Sequence, residues 1–235
     1  MQYTYKHMIL GFITCLLIVS CSKSNEGPND GDIDDGNSVV ITDLAGDVEA
    51  SVGSTGPGKE KRDFHTFLFR FSDQKQIWLK NAADSNANFP ATDWDLAFTN
   101  YYNSTIYVNN GSLKDVPWTA NGAKHKIILM KKSYDLVESA PSDAQFDSSE
   151  LNGVGMIIDE QSSGWYNYNL VSHLVQVIPN RTYVIRLSNG KYAKLQILNV
   201  YKGNPPAVTD LNWPAPYFTF KYFVQEDGSK NLKTK

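Results

Sequence analysis

Asp93-Trp94-Asp95-Leu96-Ala97-Phe98-Thr99 decides how this chain is read. Large apolar and small or acidic residues alternate along it. That period of two predicts a strand, with Trp94, Leu96 and Phe98 on one face and Asp93, Asp95 and Ala97 on the other. A carboxylate pair at this spacing reads first as a solvated or hydrogen-bonded face, and only second as a metal or acid–base pair. Upstream, Phe64-His65-Thr66-Phe67-Leu68-Phe69-Arg70-Phe71 is an aromatic strand of the same kind, with Gln76 to Leu79 as its hairpin partner. Downstream come Thr105 to Val108, ending at the turn signal Asn109-Asn110-Gly111, and then Ile127 to Met130. Trp165 to Tyr168, Leu174 to Ile178, Thr182 to Leu187, Tyr192 to Tyr201 and Phe218 to Gln225 continue the series. Ser188-Asn189-Gly190 reads as a hairpin turn. Ser133 to Glu138 and Ala144 to Leu151 have room for a turn of helix. Many short strands with turns between them predict an all-β domain of largely antiparallel sheets.

The composition agrees. The chain has 235 residues, 41% hydrophobic and 20% charged, with thirteen Tyr, eleven Phe and five Trp. Aromatic excess favours strands, and the length is enough for a core without disulfide staples. A net charge of −3 argues against a nucleic-acid binder, which needs a basic surface. Two cysteines, Cys15 and Cys21, exclude a disulfide framework and a cysteine zinc site. No GxSxG elbow, HExxH pair or Gly-rich phosphate loop occurs, so no enzyme class is suggested.

The first twenty residues read as an address. Lys6 gives a charged start, Met8 to Val19 is an apolar run of about a dozen residues, and Ser20 is small. That run is below the roughly 20 residues needed to span a bilayer. Ile18-Val19-Ser20-Cys21 resembles a bacterial lipobox, which implies cleavage before Cys21 and lipidation of its thiol. The competing reading is an ordinary signal peptide with a chance cysteine. Residues 22–37 (SKSNEGPNDGDIDDGN) are polar and acidic with almost nothing to bury, so 21–37 is expected to be a lipidated cysteine and a disordered tether. Acids after such a cysteine resemble a surface-export signal in some bacteria, or form a solvated spacer. Residues 38–235 are then one β-domain whose only contact with the membrane is the lipid anchor.

Three segments, Asp93 to Phe98 (DWDLAF), Gly164 to Asn169 (GWYNYN) with Thr182 to Ile197 (TYVIRLSNGKYAKLQI), and Tyr217 to Ser229 (YFTFKYFVQEDGS), together with the Cys21 segment, resemble the HmuY-like family of bacterial lipoproteins. The resemblance implies an all-β haemophore of the outer membrane. It would sit at the cell surface or be shed, take haem from host haemoproteins and pass it to a TonB-dependent receptor. It also implies two axial iron ligands, His with His in one branch and Met in others, one shortly after the Gly-Trp segment and one before it.

Haem iron takes His nitrogen or Met sulfur, the porphyrin takes apolar walls, and propionates take cationic or hydroxyl donors. After the Gly-Trp segment the donor is His173, eight residues past Trp165; the position five past the Trp, where the bis-His branch carries its ligand, is Leu170. Before the segment, Asn152 to Ser163 holds no His, and Met156 is its only axial donor. His173 and Met156 are therefore the expected axial ligands. Against them stand a His that merely closes a turn and a Met that fills core beside Ile157 and Ile158. His65 reads as structural and His125, between Lys124 and Lys126, as surface. Arg186, Lys191 and Lys194 meet propionates or simply point outward. Tyr166, Tyr168, Tyr192 and Tyr222 are pocket walls or packing residues. The alternative function is a family member without haem ligation, a non-enzymatic binding or structural lipoprotein.

Overall fold

The computed structural model describes residues 33–53, 58–111 and 122–235. The expected signal over 1–20, Cys21 and the tether up to residue 32 lie outside the described residues. Among those residues the strands are β1 (Val39–Ala45), β2 (Ala50–Ser51), β3 (Glu60–Lys61), β4 (Thr66–Phe69), β5 (Gln76–Leu79), β6 (Leu96–Thr99), β7 (Thr105–Val108), β8 (Lys126–Met130), β9 (Gly153–Val154), β10 (Tyr166–Tyr168), β11 (Val175–Val177), β12 (Thr182–Arg186), β13 (Tyr192–Asn199) and β14 (Tyr217–Gln225). The helices are α1 (Ala82–Asn88) and α2 (Asp143–Ser148), with a 3-10 turn at Tyr134–Leu136.

Two five-stranded antiparallel sheets carry the fold. The first runs β1-β14-β13-β12-β8 and the second β5-β4-β6-β7-β9. Their facing surfaces are aromatic. Phe67 and Phe98 stack at 4.6 Å within the second sheet, and Phe98 meets Phe218 of the first at 4.9 Å. Phe69 meets Phe220 edge-on at 5.3 Å. These side chains are fully buried, and each such contact adds about 0.5–1.5 kcal/mol beyond area burial. The outer face of the first sheet is covered by Val137, Phe146 of α2 and Leu232 near the C-terminus. That of the second is covered by Phe89, which follows α1, with Trp94. Gly190, at φ +83°, makes the turn between β12 and β13, a backbone conformation that glycine adopts without a Cβ penalty.

Both short helical segments expected after β8 form. The second, α2, is closed by a reciprocal Ser142–Gln145 capping box. Helix α1 has no apolar stripe, since AADSNAN buries nothing, and is marked only by its Asn81 cap, whose side chain accepts the Asp84 amide. Three side chains depart from expectation. Trp94 packs with Leu68, Leu79, Phe89 and Ala97 instead of with Leu96 and Phe98. The strand begins only at Leu96, so the alternation does not extend back to Trp94, whose indole donates to Phe89 O. His125 is buried, not on the surface. Its Nε2 lies 3.2 Å from Asp95 Oδ1 and its Nδ1 accepts the Ser188 amide, while Asp95 also accepts the Phe71 amide. Lys194 is fully buried. Its ammonium donates to Tyr134 O, Val137 O and Thr234 Oγ1 and stands 4.1 Å from the Tyr134 ring, with Lys221 4.3 Å from the same ring. Asp35 and Asn37, at the end of the expected tether, are already tied to this corner. Asp35 accepts from Ser38, Ser38 Oγ lies 2.8 Å from Tyr134 Oη, and Asn37 donates to Thr234 O.

Desolvation pushes Lys194 down to about 8, against the opposing pull of Asp35 and Asp135. In the unfolded chain it titrates near ~10.4. Between those values the unfolded state binds more protons, so stability rises with pH. Burial pushes the phenols of Tyr134, Tyr183 and Tyr222 above their ordinary value, so stability falls once unfolded tyrosines ionise above pH ~10. Urea midpoints measured across this range should climb from pH 8 to about 10 and then drop, and Lys194→Met should remove the climb.

Candidate functional site

The hairpin β10–β11 pairs Tyr166 with Val177 and Tyr168 with Val175. Its connection is closed by Asn169, whose Oδ1 accepts the Val171 and Ser172 amides at 2.8 and 2.9 Å. The His173 amide donates to Asn169 O, and the Asn169 amide to Leu174 O. Asparagine favours such side-chain-to-backbone turns. The closure holds His173 at φ +57°, a region His tolerates better than most residues. It also lifts Leu170 and Val171 into solvent, 79% and 92% exposed. The exposed His173 ring is held through Nδ1, 3.0 Å from Tyr168 Oη. Among the described residues no group bonds its Nε2.

The other edge of β10 is occupied by the chain around Met156. Trp165 N–H donates to Gly155 O and Ile157 N–H to Tyr166 O, at 2.8 and 2.9 Å, making a parallel bridge between Met156 and Tyr166. Bridged residues share a face, as do residues two apart on a strand, so the register sets Met156 on the side of Tyr166 and Tyr168. Met156 is half exposed and Ile158 is 85% exposed. Gly164 makes the approach possible, because a Cβ there would stand 2.3 Å from Gly155 O and 2.8 Å from the Met156 carbonyl carbon.

A third segment closes in from β6. Asn100, Tyr102 and Asn103 all have positive φ, at 59°, 54° and 52°. Asn103 is buried, accepting the Asp47 amide and donating to His65 O and Phe98 O. This turn presents Tyr101 and Tyr102 to solvent, with the Tyr102 ring 4.9 Å from Phe64. Trp165 Nε1 donates to Ser104 O at 2.8 Å, and Ser104 Oγ lies 2.8 Å from Tyr166 Oη. Tyr201 Oη accepts the Val175 amide. Burial pushes the phenols of Tyr102, Tyr166 and Tyr201 up, so they remain neutral walls and hydrogen-bonding groups rather than anionic ligands.

Both expected donors therefore flank one strand, with Met156 bridged to Tyr166 and His173 bonded to Tyr168. Met156 is not core filler. The three cations considered for propionates are elsewhere. Arg186 pairs with Asp147 at 2.6 Å and stands over Phe146, Lys191 pairs with Glu226, and Lys194 is buried. His65 lines a cleft of about 410 Å³ with Arg62, Phe64, Leu79 and Phe89. The Arg62 guanidinium there holds the Asp47 carboxyl low against the effect of burial. The sequence reading missed Tyr101, Tyr102, Ile158 and Val171. The two asparagines in Asn100-Tyr101-Tyr102-Asn103 were the available signal, since Asn is the commonest non-glycine residue at positive φ. Among the described residues no group of three or more His, Cys, Asp or Glu could hold a bare metal ion, and no helix is long and apolar enough to cross a membrane.

Gly164→Ala should cost about 1–3 kcal/mol through overpacking and should open the Met156–Tyr166 bridge. Urea unfolding and faster hydrogen exchange at the Ile157 amide read both effects.

The family model described as HmuY protein matches residues 62–213, more than half of the chain. No curated protein matches. Among solved structures, a Bacteroides vulgatus protein described as HmuY-like and heme-binding is similar at 16% identity and TM-score 0.37, covering 80% of this chain and 91% of its own. A Bacteroides fragilis protein described as a lipoprotein is similar at 11% identity and TM-score 0.34, covering 79% and 89%. The apo HmuY analog of Tannerella forsythia is similar at 14% identity and TM-score 0.31, covering 81% and 95%. On the strength of the matched family model, the chain belongs to the HmuY family.

Proposed function

We propose that this protein binds haem at the exposed face around β10, as a lipid-anchored surface carrier in iron acquisition. The observation that carries this reading is the placement of exposed apolar side chains. Tyr101, Tyr102, Met156, Ile158, Leu170 and Val171 stand in solvent on three segments that converge on Trp165 and β10. Exposed apolar side chains gathered on converging segments mark where something apolar docks.

The residues fit haem. His173 offers a free Nε2 and Met156 a half-exposed thioether, the donor types that haem iron accepts. The surrounding aromatic and aliphatic side chains suit porphyrin faces. Lys131, whose ammonium donates to Glu160 O beside this patch, is an available cation for a propionate. Haem supplies the iron; the chain holds it by ligation and performs no reaction on the ring.

The chain's entry and the aromatic turn lie at opposite ends of β1. The chain enters β1 at Val39, beside Ser38 and Tyr134, while Asp47, just past the other end of β1, holds Asn103 of the aromatic turn. Seven strand residues at about 3.3 Å each separate the two ends. Lipidated at Cys21 on the outer membrane, the protein would meet host haemoproteins and a TonB-dependent receptor at the cell surface, and shedding would leave the binding face unchanged.

Titrating haemin into the purified full chain tests the reading. A shifted Soret band with a six-coordinate low-spin spectrum should appear and be lost in His173→Ala or Met156→Ala. No Soret shift at micromolar haemin would leave the chain a HmuY-family binding module without haem ligation.

A further inference from the structure

We propose that Tyr168 is the positioning residue of His173 and decides which ring nitrogen faces the iron; this rests on the haem-binding reading above. His173 is exposed, and a free imidazole at the surface samples several rotamers and two tautomers. Here it is constrained twice. The Asn169 turn fixes its backbone at φ +57°, and the Tyr168 hydroxyl sits 3.0 Å from Nδ1, with the two rings 6.0 Å apart. The constraint leaves Nε2 as the nitrogen offered outward.

Tyrosine suits this place because a hydroxyl both donates and accepts. In the haem-free chain it can donate to an unprotonated Nδ1 or accept from Nδ1–H. With Nε2 on a metal, the proton would reside on Nδ1, and Tyr168 Oη would accept the Nδ1–H hydrogen bond without any change of heavy-atom positions. An acceptor-only carboxylate would serve one tautomer, and a phenylalanine neither. Metal-ligating histidines in general depend on such a partner at the second nitrogen, whose loss costs about 10–100-fold in affinity. Tyr168 is itself fixed. Its backbone pairs with Val175, whose amide is bonded to Tyr201 Oη, and its side chain packs partly against the inter-sheet core. The ring of Tyr168 therefore transmits the rigidity of the sandwich to an exposed loop.

Tyr168→Phe, which keeps the ring and removes only the hydroxyl, is the test, read both with and without haem. In the haem-free full chain, the imidazole nitrogen NMR signals of His173 should shift and its side chain should average over rotamers, while the thermal midpoint stays near wild type. With haemin, affinity should fall about tenfold and the low-spin electron paramagnetic resonance g-values should move. If His173→Ala abolishes the low-spin spectrum but Tyr168→Phe changes neither affinity, g-values nor the haem-free His173 signals, the positioning role is overturned and the haem-binding reading stands. If His173→Ala leaves the haem spectrum unchanged, His173 ligation and the role of Tyr168 fall together.

Discussion

Four segments meet at Trp165. Its indole N–H bonds Ser104 O, its amide bonds Gly155 O, its carbonyl accepts the Ile178 amide, and its ring lies among core aromatics, 6.3 Å from Phe218. The turn carrying Tyr101 and Tyr102, the segment carrying Met156, and the hairpin carrying His173 are thereby fixed to one buried side chain. Full burial of a side chain this large contributes several kcal/mol. The exposed face is thus built from loops that have a core residue as their common anchor.

That anchoring offsets local strain. His173, Asn100, Tyr102 and Asn103 occupy left-handed backbone conformations, each costing up to about 1–2 kcal/mol for a residue with a Cβ and less for asparagine. Such residues persist only where the surroundings over-determine them. Here the surroundings are specific: Asn103 is saturated by Asp47, His65 and Phe98, and the His173 loop by Asn169. The opposite corner, around Tyr134, Lys194 and Thr234, stabilises the end at which the chain enters β1. One end of β1 holds the chain's entry, and past its other end lies the turn that displays Tyr101 and Tyr102.

The fold was legible because period-two alternation is a local signal. Phe67, Phe69, Leu96 and Phe98 face the core as their spacing predicts, and the turn at Gly190 forms where Ser188-Asn189-Gly190 announces it. Alternation failed two residues before the strand it described, at Trp94. Burial of single polar residues was not legible. His125 sits among lysines in sequence, yet Asp95 and Ser188 enclose it from distant segments. The two candidate donors could be named from chemistry and order, since only one Met precedes the Gly-Trp segment closely and only one His follows it. Their shared strand depends on a parallel bridge that Gly164 permits, which no local pattern encodes. Tyr101 and Tyr102 enter the site through Asn103 contacts across 38 and 56 residues of sequence.

The central claim, that haem sits on the face around β10, is tested most directly by paramagnetic broadening in methyl NMR of the full chain with ferric haemin. The account predicts that the methyl signals of Met156, Ile158, Leu170 and Val171 broaden while Met130, Ile128 and Val184, on the outer face of the first sheet, remain sharp. Broadening centred instead on Leu79, in the cleft beside α1, or on the Val184 face, would contradict it.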